Sequence, residues 1–194
     1  MGELANVEKG VGYVLYGLCL IFAGILVMLL GAFMLAAASP AVVVAMITVG
    51  QMILTAGTIL ALVGRIMCLS VPDDCAATGV IYAAVGCDVT VVLISAASWF
   101  VDLPQLVSLL SNLLSLAATI LFLIFLGKIA QHIRDNDSEQ RAVMVLRLLI
   151  ATFVTVFLGV CLTPLLIVAL IMAIIGFFIY VRLLISLRQR LKAR

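Results

Sequence analysis

The stretch GQMILTAGTILALVGR, residues 50–65, decides the fold. Its one formal charge is the final Arg65, and its glycines, Gly50, Gly57 and Gly64, recur every seven residues. A helix with these side chains has no polar face to turn to water. It needs an apolar solvent around it and a close neighbour against its glycine line.

The rest of the chain has the same character. Of 194 residues, 66% are hydrophobic and 10% charged, against roughly 25% charged in soluble domains. The mean hydropathy is +1.41. A soluble fold cannot hide this much apolar surface, so the bilayer is the expected solvent. A span needs about 20 apolar residues, and six stretches qualify: 11–38, 41–69, 79–100, 103–127, 142–162 and 165–187. The expectation is an all-α bundle of six transmembrane helices in a single membrane domain, 1–194. The apolar run after Lys9 is too long for a cleavable signal and reads as a first span that stays. The ends GRIMCLSVPDD (64–74) and GKIAQHIRDND (127–137) align Gly64 with Gly127, Arg65 with Lys128, Ile66 with Ile129 and Asp74 with Asp137. They suggest hairpin units 11–78, 79–141 and 142–194.

Charge orders these spans. With six of them, both termini and the second and fourth connections share one side, and all 11 Lys and Arg residues lie there or at helix ends reaching it. The opposite turns carry none. The positive-inside rule then predicts cytoplasmic N- and C-termini. Tyr13, Tyr16, Tyr82 and Tyr180 are expected at the inner boundary, and Trp99 and Phe100 at the outer one.

The glycine line extends beyond the opening stretch. Gly10, Gly17, Gly24 and Gly31 space the first span by sevens, and Gly79 and Gly86 open the third. Apolar side chains gain little by leaving lipid for one another, so membrane helices associate where small residues let backbones approach. Gly17, Gly24, Gly31, Gly50, Gly57, Gly64, Gly79 and Gly86 are therefore the expected packing positions. Small stripes at Ser108, Ser111, Ser115 and Ala118, at Thr152, Thr155 and Gly159, and at Ala169, Ala173 and Gly176 suggest contact faces on the last three spans.

Asp88 is the one acid inside a span, near the expected midplane, where an ionisable group is a functional hint. Gln51 and Asn112 fall at similar depth and complete a candidate polar site, with Arg147 or Arg182 as possible counter-ions. The reading favours a structural polar knot at Asp88 over a proton or cation relay. The segment DNDSE (135–139) opens like a calcium loop, but its sixth position is Gln140 and its twelfth Leu146, which breaks the pattern. Asp137 is instead expected to cap the fifth helix, with Gln140 closing a capping box. Cys19, Cys68, Cys75, Cys87 and Cys161 match no zinc spacing, and Cys68, Cys75, Asp73, Asp74 and His132 share no ligand motif. No catalytic residues, metal or cofactor are expected, and one histidine with few extramembrane residues argues against an enzyme.

Two segments, GRIMCLSVPDDCAATGVIYAA (64–84) and FLGKIAQHIRDND (125–137), resemble uncharacterised multi-pass bacterial inner-membrane proteins across the second to fifth spans. The resemblance implies that location and no activity. The function expected first is a non-enzymatic helix-packing subunit or assembly partner. The alternative is a small transporter or channel for a proton, cation or small solute using Asp88. The expected partners are the lipid bilayer, further copies or other membrane subunits, and anionic headgroups at the basic tail, with no nucleic acid.

Overall fold

The computed structural model describes residues 2–34, 39–71, 77–97, 105–159 and 164–192. They form six helices: α1 (Gly2–Phe33), α2 (Pro40–Met67), α3 (Thr78–Ala97), α4 (Gln105–His132), α5 (Asn136–Gly159) and α6 (Pro164–Lys192). A 3-10 turn, Cys68–Ser70, extends α2. Helices satisfy their own backbone groups, which an apolar solvent demands. Pro40 and Pro164 open their helices, where the missing N–H costs nothing. Thr48, Thr55, Thr90, Thr119, Thr152 and Thr155 donate their hydroxyls to the carbonyl four residues back, so they carry no unpaired polarity into the bilayer.

Five helices are long and apolar enough to cross a membrane: all but α5. The first turn of α5 carries Asp137 and Glu139, and Arg147 follows further along. Its expected span, 142–162, runs beyond the described residues after Gly159.

The helices follow one another in chain order around a ring that is loose between α2 and α3. α1 packs along α2, α3 along α4, α4 along α5, α5 along α6, and α6 returns to α1, while α2 and α3 touch only sparsely. The pairing explains the glycine spacing in α1 and α2. A methyl group on Gly10 would lie 2.6 Å from the Gly64 carbonyl oxygen, one on Gly17 2.6 Å from that of Gly57, and one on Gly24 2.9 Å from that of Gly50. The relation is mutual: Gly64, Gly57 and Gly50 face the carbonyls of Gly10, Gly17 and Gly24 at 2.6, 2.8 and 3.0 Å. Each glycine hydrogen thus points at a facing carbonyl, a contact any side chain would prevent. Gly31 continues the line against Met46 and Ile47.

In α3 the expectation fails. Nothing lies within 4 Å of a methyl group placed on Gly79 or Gly86, so these two positions form no seam among the described residues. Seven-residue spacing permits close approach but does not supply a neighbour. Among the described residues α3 packs mainly on α4.

Packing is concentrated at the end that holds the termini. Val7, Val11, Ile81, Phe122, Phe125, Leu126, Leu183 and Leu187 are fully buried there. The same end is tied by Arg188 donating to Glu8 at 2.9 Å and by Ser138 facing Ser186 at 3.3 Å. At the opposite end Phe33, Leu93, Leu106 and Ile167 are exposed. That exposure costs nothing against lipid tails. Tyr13, Tyr16 and Tyr82 are exposed near the packed end, as boundary anchors would be, but Tyr180 is buried inside it. Trp99 and Phe100 lie outside the described residues.

Between α4 and α5 the chain turns through a Schellman motif. The Asp135 amide donates to the Ala130 carbonyl, that of Arg134 donates to Gln131, and Arg134 takes φ 54°. The residue that caps α5 is Asp135 rather than Asp137. Its carboxylate accepts from the Ser138 hydroxyl at 2.7 Å and faces the Ser138 amide at 3.5 Å. The helix therefore starts two residues earlier than the capping-box reading placed it.

Candidate functional site

Asp88 lies ten residues into α3, about 15 Å along the helix at 1.5 Å per residue. Its partner is Arg65, near the end of α2. The Arg65 Nη1 donates to both Asp88 carboxylate oxygens, at 2.7 and 2.6 Å. The two side chains are 14% and 16% exposed. The guanidinium carbon also sits 5.0 Å from the centre of the Phe122 ring on α4, a cation–π contact in a place with little water to weaken it.

This partner was missed from sequence, which placed Arg65 with the boundary charges. The polar site expected there does not assemble: Gln51 and Asn112 are both exposed, and Asp88 bonds to neither. Arg147 and Arg182 are exposed as well and do not reach it. The correction follows from reach. An amide must sit at the acid's own depth, whereas the long arginine stem spans more than a helical turn along an apolar surface.

The pair lines a cavity of about 260 Å³ between α1, α2, α3, α4 and α6. Its polar wall is Thr58 and Arg65 from α2, Asp88 from α3, Ser115 and Thr119 from α4, and Tyr180 from α6. α1 contributes only apolar side chains, Val14, Leu18 and Ile21. Two polar atoms stand out: the Arg65 Nε and the Tyr180 hydroxyl are buried and have no hydrogen-bond partner among the described residues. Buried polar groups are paired in the great majority of cases, and an unpaired one costs about 1–3 kcal/mol. Both of these atoms can donate.

A cavity of this size is below the range of drug-sized ligand pockets, about 300–1,000 Å³. It suits a solute of a few heavy atoms. Asp88 takes the Arg65 Nη1 and leaves the guanidinium's Nε uncommitted. The site therefore offers donors within an apolar shell, and its charge is already balanced.

Cys68 is fully buried one turn beyond Arg65, and its sulfur would lie 2.8 Å from a methyl group on Gly10. It reads as a packing residue at the end of the glycine seam. Among the described residues no three His, Cys, Asp or Glu side chains converge to hold a metal. Asp73, Asp74 and Cys75 lie outside those residues. Comparison with protein-family models, with curated proteins and with solved structures finds no match.

Proposed function

We propose that this chain is a small membrane transporter or channel that admits a small polar solute to the cavity beside Arg65 and Asp88. One observation carries this reading: an ion pair lines a cavity between the helices, and two of the side chains on its wall, Arg65 and Tyr180, each keep a buried donor without a partner among the described residues. A purely structural knot would use its donors internally. Ionisable groups at membrane depth mark solute and ion pathways by default. We further propose that α5 crosses the membrane with the other five, that both termini face the cytoplasm and that the membrane is a bacterial inner membrane. The 11 basic residues gathered at one end support the orientation.

The test is swelling of proteoliposomes in iso-osmotic glycerol, urea, sodium acetate and sodium nitrate, read by light scattering. At least one probe should enter faster than into protein-free vesicles. Thr119→Trp, which fills the cavity from α4, should remove that excess while the protein stays monodisperse. Vesicles no leakier than protein-free ones to all four probes would overturn the reading.

A second reading, a non-enzymatic assembly partner, is favoured by Gly79 and Gly86. These two small positions on α3 face nothing among the described residues. Particle mass in mild detergent separates a lone chain from an obligate assembly.

A further inference from the structure

We infer that the cavity takes a small monovalent oxyanion together with one proton, the anion on the Nε edge of Arg65 and the proton on Asp88. The inference rests on the solute-site reading above and names its ligand chemistry.

Two donors are unpaired among the described residues. The Arg65 Nε can only donate. Tyr180, whose hydroxyl is the other, lines the same cavity. A ligand that completes both must present acceptors. Guanidinium binds planar oxyanions through an edge bearing two N–H donors, with geometric as well as electrostatic gain. Asp88 occupies Nη1 alone, although it offers both oxygens. The Nε edge is therefore free of carboxylate, on a side chain that lines the cavity.

Charge then fixes the stoichiometry. The occupied cavity would hold one guanidinium and two anions in an apolar shell, one net negative charge in a place where isolated charge is strongly disfavoured. Among the described residues the other ionisable side chains on this wall are Arg65 on α2 and Tyr180 on α6, with Cys87 next to Asp88 on α3 and Cys68 in the turn after α2, and none of them adds a second positive charge. α1 and α4 bring none to the cavity wall. A proton from water therefore joins Asp88 as the anion enters. The contact between Nη1 and Asp88 loosens, and the anion accepts from the Nε–H and from the Tyr180 O–H. Net charge in the cavity is unchanged, and no bond other than the new O–H on Asp88 is made.

Nitrate is the decisive probe, because it is planar, of carboxylate size and stays ionised at every working pH. Any proton taken up with it must go to the protein. The experiment is thermal unfolding of the full chain in detergent against nitrate concentration at pH 6 and pH 8, with a bulky sulfonate holding ionic strength constant. Nitrate should stabilise the protein, with an apparent affinity that strengthens by up to about tenfold per pH unit on acidification, the limit for one linked proton. Asp88→Asn should bind nitrate with no pH dependence and be stabilised by it, and Arg65→Gln should not respond. Tyr180→Phe should weaken nitrate by about tenfold, the loss of one hydrogen bond to an ion. If Asp88→Asn fails to fold, the wild-type pH contrast and Tyr180→Phe decide alone.

Equal nitrate affinity at pH 6 and pH 8 in the wild type would overturn the proton coupling. No response to nitrate or acetate, with glycerol or urea still entering proteoliposomes, would overturn the anion and leave the solute-site reading standing. No response and no permeation would remove both.

Discussion

Asp88 and Arg65 stand on neighbouring helices, and neither charge is tolerable in the membrane alone. Breaking a buried pair by removing one partner costs about 3–5 kcal/mol, because it strands the other charge. The residual exposure of 14% and 16% places this pair toward the lower end. Asp88→Asn should therefore lower stability by about 3 kcal/mol, since its partner is a cation. Had the partner been Gln51 or Asn112, the same change would have been harmless. Arg65→Gln should cost a similar amount, and the double variant should be more stable than either single one. Thermal unfolding of the four proteins in one detergent reads the cycle directly. A double variant as unstable as the sum of the singles would mean that the two side chains do not share an interaction. The acid was legible in the sequence, as the one carboxylate inside a span. Its partner was hidden by a depth argument made at backbone level. Counting outward from position 74, Arg65 is nine residues back and Asp88 fourteen on. The five-residue offset is roughly 7.5 Å of helix, about the reach of an arginine.

Among the elements, the α1–α2 hairpin is the one whose packing the sequence stated most openly. A short connection forces the two helices antiparallel, and two glycine lines of equal spacing can then meet in one register. Gly17 facing Gly57 is the centre of that seam. Gly57→Ala sets a methyl group 2.8 Å from the Gly17 carbonyl oxygen and from the Ile21 amide nitrogen. Both are backbone atoms that cannot step aside. The cost should be about 1–3 kcal/mol, seen as a lower unfolding midpoint. Gly86→Ala meets nothing within 4 Å and should be neutral or add a few tenths of a kcal/mol through helix propensity. Equal midpoints for the two variants would show that the seam does not hold the hairpin. For α3 the spacing misled, because two glycines show where a backbone is bare and not what lies opposite.

For the whole molecule, charge and packing share one end. Arg188 with Glu8, Arg190 with Asp135 at 3.8 Å, and the Ser138–Ser186 contact join α1, the turn before α5, and α6 there. In a chain cleared of its own cysteines, cysteine at Asn136 or Gln189, both exposed, should react with a membrane-impermeant maleimide only after the cells are opened. Reaction at either site in intact cells would reverse the orientation. The number of helices and their alternation were readable from hydropathy, and the crowding of positive charge at one end followed from them. The closure of α6 onto α1 was not, because no local pattern marks which helices meet when they are far apart in sequence. Tyr180 shows the cost: near a boundary by position, it was assigned to the headgroups, and only the ring turns it inward.

That closure also bears on how the protein is made. Chains enter the membrane from the N-terminus onward, so the α1–α2 seam can form while the later helices are still on the ribosome. The ion pair needs only α3 in addition. Tyr180 and the wall it forms arrive with the last helix, which must find the first one across an already assembled hairpin. A nascent chain halted before α6 would thus hold a neutralised Arg65 and Asp88 beside an unfinished cavity open to lipid. Such an intermediate is electrically safe in the bilayer, but its α1 face still lacks the α6 side chains that cover it in the finished bundle.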